Sequence, residues 1–89
     1  MLNSTRYCNV IAQGRTQEGA DIAAVEKIFV KSIQRDEIRF AWYKLKDGKE
    51  HFQLRPLDLT EEELLEVFKD GLAKDVFSSR FREELKKLL

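Results

Sequence analysis

Between residues 38 and 64 the chain alternates apolar and polar positions twice, with Lys46-Asp47-Gly48 between the two runs and a helix-start signal directly after them. Ile38, Phe40 and Trp42 alternate along the first run, and Phe52 and Leu54 along the second, which is the period of half-buried strands. With the glycine turn they predict an antiparallel β-hairpin. Its register follows from the side-chain period. A two-residue Asp47-Gly48 loop would set Trp42 against Gln53 and send the two apolar sets to opposite faces. A three-residue loop of Lys46, Asp47 and Gly48, with the glycine left-handed as a bulge, pairs Trp42 with Phe52 and Phe40 with Leu54. All five apolar residues then share one face, and this is the register expected. Pro56 falls at the end of the second strand, where a missing donor costs least.

Residues 20–34 carry two competing periods. Ile22, Val25, Phe29 and Ile33 recur at helical spacing, supported by Ala23, Ala24 and Ile28, whereas Ile28-Phe29-Val30 is rich in residues that suit a strand. About fifteen residues without Gly or Pro are long for a strand and ordinary for a helix, so a helix is expected. Upstream, Cys8, Val10 and Ala12 alternate within residues 6–12, the pattern of an edge strand. Residues 14–19 form a glycine-bounded loop on this reading, and residues 1–5 are polar, unpatterned and expected to be disordered.

Downstream, Thr60 and Glu63 make a capping box, bracketed by Leu59 and Leu64 at the spacing of a hydrophobic staple. Leu64, Leu65, Phe68 and Leu72 continue a buried stripe, and Gly71 either ends this helix or weakens it. Ser78 offers a second N-cap, and Phe81, Leu85, Leu88 and Leu89 complete a short amphipathic helix. The fold class expected is α+β, in one domain spanning residues 1–89. It is a small two-layer unit in which the hairpin, with residues 6–12 as a third, edge strand, packs against an N-terminal helix and two C-terminal helices.

Charge narrows the function. The chain has 16 basic and 16 acidic residues, which argues against attachment to DNA or an anionic membrane by net charge alone. Its distribution is uneven: a surplus of three positive charges up to residue 57 is matched by a deficit of three beyond it. No apolar run is long enough for a secretory signal or a bilayer span, and Cys8, the single cysteine, excludes an intrachain disulfide, so a cytoplasmic location is expected.

Catalytic chemistry finds little support. Cys8 and the single histidine, His51, lie far apart with nothing around either that suggests activation. Glu61, Glu62 and Glu63 point in different directions on a helix, and one of them serves the cap. There is no glycine-rich phosphate loop and no set of metal ligands, so neither cofactor nor metal is expected, and the chain reads as non-enzymatic. A helix-turn-helix over residues 61–85 would turn Glu66, Asp70 and Arg80 inward, which is costly.

Two binding surfaces remain. In the expected register the outer hairpin face sets Arg39 opposite Arg55, Tyr43 opposite His51 and Leu45 opposite Lys49, a basic and aromatic candidate surface for a partner's carboxylate or for nucleic acid. Leu85, Leu88 and Leu89 are candidates for self-association. The function expected is a protein-interaction or self-assembling module, a homodimer in its simplest form. Nucleic-acid binding through Arg39, Tyr43, Lys49, His51 and Arg55 is the alternative.

Overall fold

A computed structural model describes all 89 residues. Five strands, β1 (Asn3–Ser4), β2 (Cys8–Glu18), β3 (Asp21–Val30), β4 (Arg35–Lys46) and β5 (Lys49–Gln53), form one antiparallel meander in sequence order. Two helices follow, α1 (Glu61–Ala73) and α2 (Ser79–Leu88). The fold is therefore a small α+β unit, with three corrections to its expected layout.

The first concerns residues 20–34, which contain the central strand of the sheet rather than a helix. β3 pairs with β2 on one side and β4 on the other, and Ile22, Ala23, Ala24, Val25, Glu26, Ile28 and Val30 are all buried. A strand covered on both faces shows a continuous apolar run instead of alternation. The helical spacing of Ile22, Val25, Phe29 and Ile33 was a coincidence within that run. The supposed loop at 14–19 is the second half of β2, and Gly19, at φ 60°, makes the tight turn into β3.

The second concerns β2, an interior strand flanked by β1 and β3 rather than an edge. Its register against β3 shifts between Val10 and Ala12, so that Ile11 is an extra residue. Because the side-chain period is two, this bulge places Cys8 and Val10 on one face and Ala12, Gly14 and Thr16 on the other. Cys8, Val10, Ile28 and Val30 form one buried cluster. Residues 1–5, expected to be disordered, include β1, whose Asn3 pairs with Val10 and Ser4 with Asn9.

The third concerns the hairpin. Trp42 stands opposite Gln53 and Tyr43 opposite Phe52, so the loop is the two-residue Asp47-Gly48 turn. Both residues are left-handed, with φ 53° and 74°, the geometry that matches the twist of a hairpin. Ile38, Phe40 and Trp42 therefore share one face while Phe52 lies on the other, and helices cover neither set completely. The expectation failed on its assumption that every apolar residue of the hairpin must be buried inside one chain.

α1 packs on the face bearing Gly14 and Val25. Val25, Val67, Val76 and Phe77 are the buried centre there, with Ala12, Leu59, Phe68 and Leu72 around them. Both C-terminal helices begin where their caps predict: the Thr60–Glu63 capping box is complete, and the Ser78 hydroxyl accepts from the Phe81 N–H. Gly71 does not end α1. It lies inside the helix, buried against Gly14. No helix is long and apolar enough to cross a membrane.

Candidate functional site

On the face opposite α1 the sheet curls on itself. Arg15 of β2 meets Glu50 of β5 at 2.8 Å, although β3 and β4 lie between them in the sheet. Ala24 and Ala41, paired beneath, are small and buried, which leaves room for that crossing. The curl encloses a buried carboxylate. Glu26 is 0% exposed, and its Oε1 accepts from Arg39 Nε at 2.9 Å, with Nη2 at 2.8 Å. Its Oε2 accepts from Gln13 Nε2 and from the Tyr43 hydroxyl, each at 2.7 Å. Gln13, Glu26 and Arg39 stand directly opposite one another on three adjacent strands, so the ladder itself delivers the partners.

A buried charge with four such contacts is satisfied, and its ion pair is neutral. Arg39 also lies over the Phe52 ring at 4.9 Å and approaches Cys8 Sγ at 3.7 Å. Burial alone would lower the Arg39 pKa, but the hydrogen bond and charge of Glu26 outweigh it and raise the value. Tyr43 is pushed up to about 12, chiefly by burial and then by its hydrogen bond to Glu26. A small cavity of about 250 Å³ adjoins this network, lined by Leu2, Asn3, Val10, Gln13, Glu26, Tyr43 and Glu50.

A larger cavity, about 460 Å³, opens where the start of α1 meets the turn between β2 and β3. Its wall includes Trp42, whose indole N–H donates to Asp21 Oδ1 at 3.1 Å. Around it stand Glu18, Asp21, Asp58, Glu63 and Glu66, with no lysine or arginine in the lining. Glu63 is occupied by the cap, and Glu66 accepts from the Thr16 hydroxyl at 3.1 Å. Asp70, further along α1, accepts the backbone N–H of Arg15 at 2.7 Å. That bond is the main reason its pKa lies below the ordinary value, with Lys74 adding to it.

The basic and aromatic face expected of the hairpin does not assemble. Tyr43 pairs with Phe52, Lys44 with His51 and Lys46 with Lys49, while Arg55 lies beyond the paired residues of β5. Arg39 and Tyr43 point into the curl and are spent on Glu26, whereas Lys49 and His51 belong to the opposite face. Glu26 and Gln13 escaped the sequence reading. The available signal was Glu26 itself: four residues after Ile22 and three before Phe29, it falls on the apolar stripe of the expected helix, a buried acid that counted against that helix.

The self-association candidates fare differently. Leu85 is half-buried, Leu88 is 81% exposed, and Leu89 is exposed. Phe81 stacks on Phe77 with ring centroids 5.0 Å apart, and Arg82 donates to the Leu72 carbonyl and pairs with Asp75. Beyond this root, no Cα of α2 lies within 8 Å of any strand or of α1. A second uncovered apolar surface runs along β4, where Ile38 is 45% and Phe40 is 48% exposed. α1 packs on β2 and β3 and leaves this strip open.

No group of three His, Cys, Asp or Glu side chains is placed to hold a metal. Comparison with protein-family models, curated proteins and solved structures finds no match.

Proposed function

We propose that the chain is a non-enzymatic protein-interaction module that associates with copies of itself. The observation that carries this reading is α2: a helix with one apolar stripe, Phe81, Leu85 and Leu88, standing clear of the sheet. A ten-residue helix is marginal in water on its own and gains most of its stability when its apolar face is covered. The open strip of Ile38 and Phe40 is a second surface of the same kind. The buried, free thiol of Cys8 accords with a reducing, cytoplasmic setting.

Nucleic-acid binding is the lesser reading: it has Lys44 over the Trp42 ring at 5.7 Å, but Arg39 and Tyr43, two of the residues it relied on, are spent on Glu26. Light scattering over a concentration series tests the proposal. A mass that rises with concentration, persists at high salt and falls to the monomer in Leu85→Asp with Leu88→Asp is the expected result. A monomer at every concentration that binds short single strands in a salt-sensitive way overturns it.

A further inference from the structure

Self-association through α2 needs a surface to receive it, and several features of this chain point to the same one. We infer that α2 of one copy seats on the Ile38–Phe40–Trp42 strip of a second copy, with Lys86 and Lys87 over the acidic cavity at the end of that strip, and that two copies exchange α2 reciprocally. This rests on the self-association reading above.

The dimensions agree. From Phe81 to Leu88 the helix advances about 10 Å at 1.5 Å per residue. From Ile38 to Trp42 the strand advances about 13 Å at some 3.3 Å per residue. Three apolar positions on each partner thus run over comparable lengths; Ile38, Phe40 and Leu88 are exposed, Trp42 and Leu85 half-buried, and Phe81 keeps one side open beside Phe77.

Charge then sets the direction. The last turn of α2 carries Lys86 and Lys87. The cavity beside Trp42 is lined by Glu18, Asp21, Asp58, Glu63 and Glu66; Asp21 is paired with Lys44, which also stands over the Trp42 ring, and Glu63 serves the cap, so Glu18, Asp58 and Glu66 are the carboxylates that meet the basic turn. Seating the basic turn at the Trp42 end places cations over carboxylates, and the two lysines also offset the negative end of the helix dipole there.

A second copy is the occupant because the chain's own α2 is held elsewhere. Phe81 on Phe77 and Arg82 on Asp75 fix the root of the helix, and no Cα of α2 comes within 8 Å of β4. A twofold axis makes the two seats identical. Doubling the seat moves a small helix-on-strand contact toward the roughly 1,200–2,000 Å² that stable interfaces bury.

Complementation between two variants tests the seat. One variant carries Ile38→Glu and Phe40→Glu, which spoil the strip. The other carries Leu85→Asp and Leu88→Asp, which spoil the helix. Circular dichroism and urea melts first establish that each variant is folded, and Phe40→Ser replaces the first pair should that variant unfold. Sedimentation velocity with one partner fluorescently labelled should find wild type dimeric, each variant monomeric alone, and, on mixing over a range reaching well above the wild-type dissociation constant, a heterodimer weaker than wild type, since one intact helix then meets one intact strip and the second seat is lost.

No recovery on mixing overturns the seat while leaving self-association standing, because helix-on-helix or strip-on-strip contacts cannot be complemented in this way. A wild-type monomer at all concentrations overturns both. The direction has its own test: Lys86→Glu with Lys87→Glu should weaken the dimer by about 2- to 10-fold at low salt. Adding Glu66→Lys and Asp58→Lys should restore it. An unchanged dissociation constant in the lysine variant overturns the placement of the basic turn.

Discussion

Gly14 of β2 lies directly beneath Gly71 of α1, so close that a Cβ built on Gly14 would stand 2.2 Å from the Gly71 backbone nitrogen. The missing Cβ of Gly14 is what lets helix and strand approach this far, while the missing Cβ of Gly71 leaves room for Val25 and Phe77. Gly14→Ala must push the helix off the sheet, and the expected loss in urea unfolding is about 1–3 kcal/mol or more. Gly71→Ala should be milder. Its Cβ would meet side chains rather than backbone, Val25 Cγ1 at 2.6 Å and Phe77 Cε2 at 3.1 Å, both in the packed core, and alanine returns about 1 kcal/mol of helix propensity against that crowding.

The ion pair of Glu26 and Arg39 is the second target. Glu26→Ala strips a counterion from a guanidinium only 22% exposed and removes the acceptor for Gln13 and Tyr43. Losses of about 3–5 kcal/mol accompany such a step in fully buried pairs, and the partial exposure of Arg39 places this one toward the lower end. Combining Glu26→Met with Arg39→Met should recover much of the stability lost by either change alone. A double-mutant cycle in denaturant would measure that coupling, and strict additivity would show that the two side chains do not act as a pair.

Alkaline pH should weaken the fold through Tyr43. Its pKa in the folded protein, about 12, lies above the ordinary tyrosine value, so the folded state keeps a proton that the unfolded state gives up. The stability tied to this group is intact below pH about 10 and declines as pH rises toward 12. Tyr43→Phe should flatten that part of a stability-against-pH curve. Ultraviolet titration of the phenolates should show one fewer late-ionising group in the variant.

At the hairpin turn the left-handed pair Asp47-Gly48 makes the strain specific. Gly48→Val and Asp47→Val should each cost about 1–2 kcal/mol, because a β-branched residue resists positive φ. Asp47→Asn should be nearly neutral, and so should Lys46→Ala. Thermal melts of the four variants would separate the two groups.

The α1 cap offers a cleaner test of local structure. Thr60→Ala removes the acceptor of the Glu63 N–H, at 3.1 Å, and should cost about 1 kcal/mol in denaturant unfolding. Ser78→Ala should cost less in global stability, because α2 rests on so little of the body.

What the sequence by itself determined was the local structure whose causes lie within a few residues. Thr60 with Glu63 announced α1, and Ser78 announced α2, because a cap is satisfied by atoms three positions away. The presence of the hairpin and the place of its turn were legible for the same reason, whereas the two-residue Asp47-Gly48 loop it uses is the one the side-chain pattern argued against. Leu85 and Leu88 stood out as an apolar stripe, and they do remain partly or largely open.

Only the tertiary structure decided the rest. β3 lies between two strands and beneath α1, and burial on both faces erased the alternation that would have marked it as a strand. The Ile11 bulge reversed the face of everything after Val10 in β2, and no local pattern announces one extra residue. Glu26 found Gln13, Arg39 and Tyr43 only because three strands came into register around it. The hairpin register turned on whether Phe40 and Phe52 had to share a face, a question of what covers each side of the sheet and not of the turn that joins the strands. Contacts between distant residues set these outcomes, and their free energies exceed the local preferences from which a sequence can be read.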